Sequence, residues 1–358
     1  MSIVSLSSRT AVVLFNLGGP DSTVAVQPFL YNLFNDPAII SAPKVVRSLL
    51  ASFISRRRTP TATKIYEEMD GKSPILENTE AQAEALEKAL KGHGDVKVFT
   101  CMRYWHPLAD EVVRDVKAYA PDHIILLPLY PQFSASTTGS SFTDWQRACR
   151  LAGLDVPTTR LCCYPTQRDF ITAHAQLVST YVAEAGRFGN PRVLFSAHGL
   201  PEKRIKQGDP YQWQVEATIK EITNQLQLGD VVACYQSRVG PLKWIGPSTD
   251  KELLRAAKDK VPVVLVPIAF VSEHSETLVE LDIEYAELAH SNGLDHYYRV
   301  PTLSVQAHFI AALADMCLKL SPSSTYCQSH IGGRICPTPW KLCPAKGASH
   351  AAALLPAH

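Results

Sequence analysis

Acidic residues recur at regular intervals in one segment of the second half of the chain. Residues 271–287 read VSEHSETLVELDIEYAE, and the glutamates stand three or four positions apart: Glu273, Glu276, Glu280, Glu284 and Glu287. Side chains with this spacing share one face of a helix, where like charges four residues apart repel by roughly 0.2–0.5 kcal/mol per pair. The series begins beside His274, directly after the apolar run VPVVLVPIAF. The pattern indicates a path for a hard or borderline cation or for protons, and the alternative is a solvated acidic helix face.

A single histidine is the second candidate for chemistry. His198 lies in the segment SAHGLP, directly after a predicted strand and between the small residues Ala197 and Gly199. An imidazole has an unperturbed pKa of about 6.5, so it accepts protons near neutral pH. The alternative is a structural histidine satisfied by its neighbours. The sequence has no G-x-S-x-G motif, and the loop NLGGP at residues 16–20 lacks the Lys-Ser/Thr of a phosphate loop, so nucleotide chemistry is disfavoured.

Three consecutive arginines suit the binding of carboxylates. Arg56, Arg57 and Arg58 precede a Thr-Pro pair, and Tyr66 and the turn GKSP follow. A guanidinium pairs with a carboxylate through two parallel hydrogen bonds, and a solvated basic turn is the alternative. The preceding residues 42–54 are amphipathic and strongly apolar. They predict either a helix docked on its own domain or a hydrophobic lip for a flat apolar ligand or a membrane surface.

The composition is that of a folded protein with no general attraction for nucleic acid. Of 358 residues, 46% are hydrophobic and 19% charged, and 35 basic against 34 acidic residues leave a net charge of +1. The first residues lack the pattern of a signal peptide, and the longest apolar stretch is too short to cross a bilayer. We therefore expect a cytoplasmic protein that touches a membrane at most peripherally, at its inner face. Nine cysteines in a reducing compartment do not predict a disulfide framework.

Short apolar runs alternate with helical patterns along most of the chain. We predict strands at residues 11–15, 96–101, 123–127, 192–196, 231–234 and 263–266. We predict helices at residues 78–91, 108–118, 169–185, 211–226 and 249–257. This alternation indicates an α/β protein with mostly parallel sheets flanked by helices. Polar segments with Gly and Pro follow strand after strand, which places the candidate site beyond the carboxyl ends of the strands.

The predicted strands fall into two groups, which indicate two similar α/β domains with a cleft between them. We place the first domain at residues 1–165, with the lip at about 42–58, and the second at residues 166–304. Residues 305–320 predict a helix that returns to the first domain. Residues 321–358 are rich in Pro, Gly and Ser, have no sustained periodicity and form a cysteine-containing tail.

Taken together, the loops of this chain resemble those of ferrochelatases. The matching segments, in the family's order over residues 10–320, are VLFNLGGPDS, PFLYNLFNDP, RRRTP with GKSPI, MRYWHP, LYPQFSASTTGSS, SAHGLP, YQSRVGPLKWIGPSTD and PIAFVSEHSETLVELDIEY. The resemblance implies the chelatase fold, in which two Rossmann-like domains bind a porphyrin between them. It also implies a lyase of haem biosynthesis that distorts protoporphyrin IX, removes two pyrrole protons and inserts Fe²⁺ with the help of carboxylates.

The resemblance further implies roles for individual residues. His198 matches the histidine thought to take pyrrole protons or bind the metal, and Glu276 matches the carboxylate that faces it across the macrocycle. Both are predicted as catalytic residues and metal ligands. The predicted proton or metal path consists of His274, Glu280, Asp282 and Glu284. The predicted porphyrin contacts are Arg57, Arg58, Tyr66, Ser73, Tyr104, Ser136, Thr137 and Trp244.

The tail cysteines resemble the ligands of the [2Fe–2S] cluster that some ferrochelatases carry. Cys327, Cys336 and Cys343 would supply three thiolates and Cys162 or Cys163 the fourth, which makes up the four that such a cluster needs. The spacing in the tail is wider than in the animal enzymes. A zinc site and idle thiols are the alternatives.

The resemblance makes protoporphyrin IX and ferrous iron the expected partners, with no nucleic acid and with oligomerisation left open. Two other functions stay open as well: a chelatase for another metal or tetrapyrrole, such as coproporphyrin III, and a non-catalytic porphyrin carrier. A carrier would need no opposed base and acid, so His198 and Glu276 together favour an enzyme.

Overall fold

The structure, a computed structural model, describes residue 6 and residues 9–237, 242–320 and 327–345. Its strands are β1 (Arg9–Asn16), β2 (Asp95–Met102), β3 (His123–Pro128), β4 (Thr158–Leu161), β5 (Arg192–His198), β6 (Val231–Gln236), β7 (Val263–Pro267), β8 (Tyr297–Arg299) and β9 (Cys327–Gln328). Its α-helices are α1 (Val26–Phe34), α2 (Lys44–Glu67), α3 (Ile75–Ala89), α4 (Ala109–Tyr119), α5 (Thr138–Ala152), α6 (Arg168–Ala185), α7 (Glu202–Lys206), α8 (Tyr211–Leu226), α9 (Thr249–Asp259), α10 (Tyr285–Ser291) and α11 (Ala307–Lys319). A nine-residue π-helix, Glu276–Glu284, lies directly before α10.

The described chain divides into two compact units. The first comprises the residues up to Cys163, those from Leu313 to Pro337 and those from Pro344 onward. The second comprises Tyr164–Ala312 and Thr338–Cys343. Helix α11, which we predicted to return to the first domain, contributes its residues from Leu313 onward to the first unit. Residues 321–326 and 346–358 of the predicted tail lie outside the described residues.

A five-stranded parallel sheet forms the centre of the first unit. Its strand order is β2-β1-β3-β4-β9. Strand β1 reads RTAVVLFN and is buried along all but its first residue, because a central parallel strand is covered on both faces. The ring of Phe15 meets those of Phe142 and Trp145 edge-on, with centroids 5.8 Å apart in each pair, which packs α5 against the sheet.

A four-stranded parallel sheet forms the centre of the second unit. Its strand order is β6-β5-β7-β8, so β5 and β7 are the inner strands. One face carries an apolar cluster that includes Leu194 from β5, Leu265 from β7 and Leu281 from the π-helix, all fully buried. The π-helix is therefore packed on the sheet through Leu281 and does not lie free in solvent.

The predicted α/β architecture is confirmed, as are all six predicted strands, each within two residues of its observed ends. Three strands, β4, β8 and β9, were not predicted, and neither were the helices α1, α5 and α7. The basic turn proposed as an alternative for Arg56, Arg57 and Arg58 is wrong, because α2 continues through Pro60 to Glu67. No helix in the described part of the chain combines the length and apolar character needed to cross a membrane.

Candidate active site

Three chain segments meet at the carboxyl end of the second sheet. His198 ends β5, and Gln236, its partner in register, ends the neighbouring strand β6. Glu276 begins the π-helix, which follows β7 on the other side of β5. Side chains that follow adjacent parallel strands converge at one edge of a sheet, which is where such sheets bind ligands.

His198 and Glu276 are directly hydrogen-bonded. Nδ1 of the imidazole lies 2.9 Å from Oε2 of the carboxylate. The side chain of His198 is 39% exposed and that of Glu276 24%, so both can be reached from outside. The prediction that they face each other across a macrocycle is wrong in this structure, because two atoms in hydrogen-bond contact leave no space for a ring between them. A flat ligand would have to lie on one side of the pair.

A second carboxylate, Glu280, is tied to this pair by residues at the end of β6. The backbone N–H of Ser237 donates to Oε1 of Glu280 at 3.0 Å, and its hydroxyl is shared between Oε2 of Glu280 and Oε2 of Glu276, the latter at 3.2 Å. The amide of Gln236 donates to Oε2 of Glu280 at 3.2 Å, and the hydroxyl of Tyr285 donates to Oε1 at 3.2 Å. Both carboxylates are thus held in fixed orientations.

The orientation of the Gln236 amide is set from inside the sheet. The hydroxyl of Ser196, which is fully buried in β5, donates to Oε1 of Gln236 at 2.7 Å and lies 2.8 Å from the hydroxyl of Thr249. Since the amide oxygen accepts there, the amide NH₂ has to face the carboxylates. The strand thereby fixes a donor that points at Glu280.

Burial and mutual charge together set the protonation of the site. Burial lowers the pKa of His198, but the charge and hydrogen bond of Glu276 and the charge of Glu280 outweigh it, so that the pKa is raised. Burial raises the pKa of Glu276, but the charge and hydrogen bond of His198 outweigh it and hold the pKa at about 2. Burial and the charge of Glu276 raise the pKa of Glu280. The site therefore favours the protonated form of His198 next to an ionised Glu276, beside a second carboxyl group that takes up a proton more readily than an ordinary glutamate.

The other residues of the predicted path differ in their surroundings. Glu284, at the end of the π-helix, is exposed. His274 is buried, with Nδ1 3.1 Å from the carbonyl oxygen of Ser272, and burial lowers the pKa of its imidazole. Asp282 is ion-paired with Arg299. Glu276 and Glu280 share the hydroxyl of Ser237, and Glu284 lies four residues further along the π-helix at the surface.

Two of the predicted porphyrin contacts lie on the surface of the first unit and two in its core. Arg57 and Arg58 are exposed on α2. Tyr66 and Tyr104 are buried in the same apolar cluster. The hydroxyl of Tyr104 donates to Asp36 at 2.8 Å, and none of its surface is exposed. Tyr104 therefore stabilises this unit from within, and its predicted contact with porphyrin finds no support in its burial.

The remaining predicted contacts lie in segments that follow strands. Ser73 is buried against Gly19, so closely that a Cβ at position 19 would come within 2.5 Å of it. Ser136 is buried in the loop after β3, and Thr137 precedes the first residue of α5. Trp244, in the second unit, is half-buried and forms an isolated backbone bridge with Pro201.

Part of the tail adds a strand to the first sheet and brings cysteines together there. Strand β9 pairs with β4, and the backbone N–H of Cys162 donates to the carbonyl oxygen of Gln328 at 2.8 Å. The Sγ atoms of Cys162 and Cys163 lie 3.4 Å apart, and the thiol of Cys162 is also hydrogen-bonded to that of Cys327. Cys336 is fully buried and interacts electrostatically with Cys162.

The thiols are close together, but they are not arranged around a common metal position. Across the ranges that the structure describes, no three His, Cys, Asp or Glu side chains form a group able to hold a metal ion. Cys343, the last of the predicted cluster ligands, belongs to the second unit.

Three residues of the site were missed in the sequence, and each had a different signal. Gln236 and Ser237 stand in the loop QSRVGP, directly after a predicted strand, and that position alone could have marked them. Tyr285 stands five positions after Glu280. On an α-helix such residues do not face each other, so only the i to i+5 pairing of a π-helix brings them together.

The family model and the relatives that match this chain all point to one family. The ferrochelatase family model matches residues 9–320. The ferrochelatase of Pelagibacter ubique is 49% identical over 342 residues, covering 94% of this chain and 98% of that protein. The ferrochelatase of Caulobacter vibrioides is 51% identical over 350 residues, covering 96% and 100%. The ferrochelatase of a Wolbachia endosymbiont of Drosophila simulans is 55% identical over 316 residues, covering 87% and 99%.

A solved structure supports the fold independently. SirB from Bacillus subtilis, determined with Fe³⁺, superposes with a TM-score of 0.52 at 12% identity, covering 86% of this chain and 93% of that one. A sequence identity this low supports a shared fold and nothing more. The family match and the relatives span nearly the whole chain, and the chain therefore belongs to the ferrochelatase family.

Proposed function

We propose that His198, Glu276 and Glu280 form the centre with which this member of the ferrochelatase family handles protons and metal as it inserts Fe²⁺ into protoporphyrin. Insertion forms bonds from iron to all four ring nitrogens and releases two pyrrole protons, so a base has to accept protons while a ligand holds the cation. The observation that carries the assignment is the 2.9 Å contact between His198 and Glu276 at the end of the second sheet.

The hydrogen bond assigns the base to one nitrogen. Glu276 is ionised and can only accept, so Nδ1 of His198 carries the hydrogen of that bond. In the neutral imidazole this leaves the lone pair on Nε2, which can accept a pyrrole proton. The positive charge that then forms on the ring is stabilised by Glu276, and the raised pKa of His198 expresses this preference.

The carboxylates supply oxygen ligands and a way out for protons. Hard divalent cations prefer such oxygens. Glu280, whose pKa is raised by burial and by the charge of Glu276, can take up a proton that His198 releases. Exposed Glu284, four residues further along the π-helix, is suited to pass it to solvent. Incoming Fe²⁺ weakens the attraction between Glu276 and the imidazolium, which favours this release.

The assignment is tested by Fe²⁺ insertion into protoporphyrin IX, followed by porphyrin absorbance, with wild type and His198→Ala. We expect kcat to fall by roughly 10²–10⁴-fold, the range for loss of a general base. His290→Ala is the matched control, because His290 is an exposed histidine of the same unit outside the site. A His198→Ala protein that keeps its activity within twofold would contradict the assignment.

Coproporphyrin III, run in parallel, tests the substrate. We expect protoporphyrin to be the better substrate, judged by kcat/KM. Preference for coproporphyrin would overturn the substrate assignment, and binding of every porphyrin without turnover would indicate a carrier.

We propose a [2Fe–2S] cluster as resident cofactor, with ligands among Cys162, Cys163, Cys327, Cys336 and Cys343. The donor chemistry fits, since such clusters are held by thiolates and four of these cysteines lie beside the β4–β9 pair. A bound cluster would supply a one-electron redox centre. Zinc is the alternative with the same donors.

Iron and zinc contents and a visible spectrum of freshly purified protein distinguish the two. We expect a coloured protein with two iron atoms per chain that loses its colour on Cys327→Ser. Colourless, iron-free protein from iron-replete cells would contradict the cluster. One zinc atom per chain would show that the cysteines form a zinc site instead.

We also propose peripheral contact of α2 with the cytoplasmic face of a membrane. Val45, Leu49 and Phe53 stand at intervals of four and are 62–73% exposed, so they form one apolar stripe. The helix carries six basic residues and no acidic one before Glu67. An apolar stripe flanked by cationic residues is suited to a surface that contains anionic lipid.

Co-sedimentation with vesicles tests this contact. Binding should be stronger to vesicles of phosphatidylcholine with phosphatidylglycerol than to phosphatidylcholine alone, and Phe53→Ser should weaken it. Leu151→Ser, at another exposed leucine, is the control. Equal sedimentation of all variants would contradict a role for α2.

A further inference from the structure

Arg299, on the edge strand β8, binds two carboxylates in and before the π-helix. Arg299, the last residue of β8, donates from Nη1 to Oε1 of Glu273 at 2.7 Å and from Nε to Oδ1 of Asp282 at 2.7 Å, with a further bond from Nη2 to Oδ2 of Asp282. Its side chain is 11% exposed. A bidentate guanidinium–carboxylate pair with this little solvent is directional and strong.

The two carboxylates stand on either side of the catalytic acids in the chain. Glu273 precedes the π-helix by three residues, and Asp282 lies in its second half. The same strand makes a third contact, because the hydroxyl of Tyr297 donates to the carbonyl oxygen of Leu281 at 2.6 Å. Strand β8 and its last side chain therefore hold the segment before Glu276 and the segment after Glu280.

These contacts of Arg299 and Tyr297 are important for the π-helix, because π-helical geometry is rare and normally limited to a single turn. The hydrogen bonding from i to i+5 brings Tyr285 to Glu280, and in this register Glu276 and Glu280 both bind Ser237. If the segment relaxed to an α-helix, the rotation between successive residues would change and Tyr285 would no longer face Glu280. Something outside the helix has to hold this register.

We propose that Arg299 is a positioning residue for metal insertion, which holds residues 273–282 in the π-helical register and thereby aims Glu276 and Glu280 at His198. This inference rests on the proposed function of that site. In this role Glu273 and Asp282 anchor the π-helix through their ion pairs with Arg299.

The second unit contains a matched control. Arg192, the first residue of β5, also bridges two carboxylates, those of Asp230 and Asp259, at 2.8 Å each. Its side chain is as well buried as that of Arg299. It lies at the opposite end of β5 from His198, so Arg192→Met disrupts a similar ion pair without touching the site.

The test compares Arg299→Met, Arg299→Lys and Arg192→Met. We expect Arg299→Met to lower kcat by roughly 10- to 100-fold, the range for misplaced catalytic groups, with KM for protoporphyrin nearly unchanged. Arg299→Lys, which restores the charge but not the bidentate pair, should recover part of the loss. Arg192→Met should keep kcat within twofold of wild type.

A readout without turnover separates this inference from the proposed function. The nitrogen chemical shifts of the His198 imidazole, measured by NMR at fixed pH, report its hydrogen bond to Glu276. We expect Arg299→Met to move them and Arg192→Met to leave them unchanged. If His198→Ala is fully active, the proposed function fails, whereas the NMR result still shows whether Arg299 positions Glu276.

Two further variants test the inference if Arg299→Met does not fold. Should Arg299→Met fail to fold, Asp282→Asn and Tyr297→Phe, which each remove one contact of β8 with the π-helix, are expected to lower kcat in the same way to a smaller extent. Folded variants with wild-type kcat and unchanged His198 shifts would overturn the inference.

Discussion

At the residue scale, the bond between His198 and Glu276 decides both the charge of the site and the nitrogen that can act as base. The sequence placed His198 after a strand and Glu276 in an acidic series, but it could not bring Nδ1 and Oε2 to 2.9 Å. The partners that complete the site, Gln236 and Ser237, are uncharged and belong to no periodic pattern. Their importance comes from the end of β6 lying beside that of β5, which only the sheet order reveals.

The contact between His198 and Glu276 predicts how the rate of metal insertion depends on pH. Imidazolium cannot accept a proton, so insertion should become faster as the pH rises through the raised pKa of His198. Glu276 stays ionised down to about pH 2 and adds no second step near neutrality. Removal of its charge by Glu276→Gln should lower the pKa of His198, because the opposite charge that raised it is gone.

Proton NMR titration of His198 and the pH dependence of kcat/KM measure this shift. Both midpoints should move to lower pH in Glu276→Gln and stay in place in Glu216→Gln, at an exposed glutamate of α8. A midpoint that does not move would mean that Glu276 is not the charge that sets the protonation of His198. By linkage, the pair stabilises the folded state below the ordinary pKa of histidine and loses this contribution as the pH rises through the raised value.

At the scale of elements, the buried strands could be predicted because β1, β3, β5 and β7 are continuous apolar runs. Strands β4, β8 and β9 could not, since TTRL, YYR and CQ are short segments whose pairing depends on distant residues. For the segment that contains Glu276, the sequence predicted a helix without its type. Spacings of three and four fit α- and π-helices alike, so periodicity could not distinguish them.

The register of the π-helix predicts which leucine stabilises it. Leu281 is fully buried in the apolar cluster of the second unit, whereas Leu278 is half-buried. We expect Leu281→Ala to lower the free energy of unfolding by about 2–5 kcal/mol. Leu278→Ala should cost clearly less, since its side chain already meets solvent. Urea denaturation measures both, and equal losses would contradict this register.

At the scale of the whole molecule, two α/β units and the ferrochelatase family followed from loops matched in order along the chain. The strand formed by the tail could not be predicted from the sequence, because the Pro- and Gly-rich composition of the tail is typical of a disordered segment. A few residues, Cys327 and Gln328, nevertheless extend the first sheet beside β4. This pairing depends on the free edge of β4, which a local pattern cannot show.

The added strand makes a prediction about truncation. A chain that ends at residue 320 lacks β9 and leaves the edge of β4, with buried Cys162 and Cys163, uncovered. We expect a lower Tm and a tendency to aggregate, since an unpaired edge strand recruits other chains. A chain that ends at residue 345 keeps β9 and should match the full-length protein in Tm. Equal Tm for all three chains would show that β9 adds no stability.

The central claim is that His198 and Glu276 act as one unit in metal insertion, and a double-mutant cycle on kcat tests it most directly. Groups that act together are lost together, so the combined variant His198→Ala/Glu276→Gln should be no slower than the slower single variant. Fe²⁺ insertion into protoporphyrin is measured for the wild type, both single variants and the double variant. If the two single losses multiply in the double variant, the residues act independently and the account is contradicted.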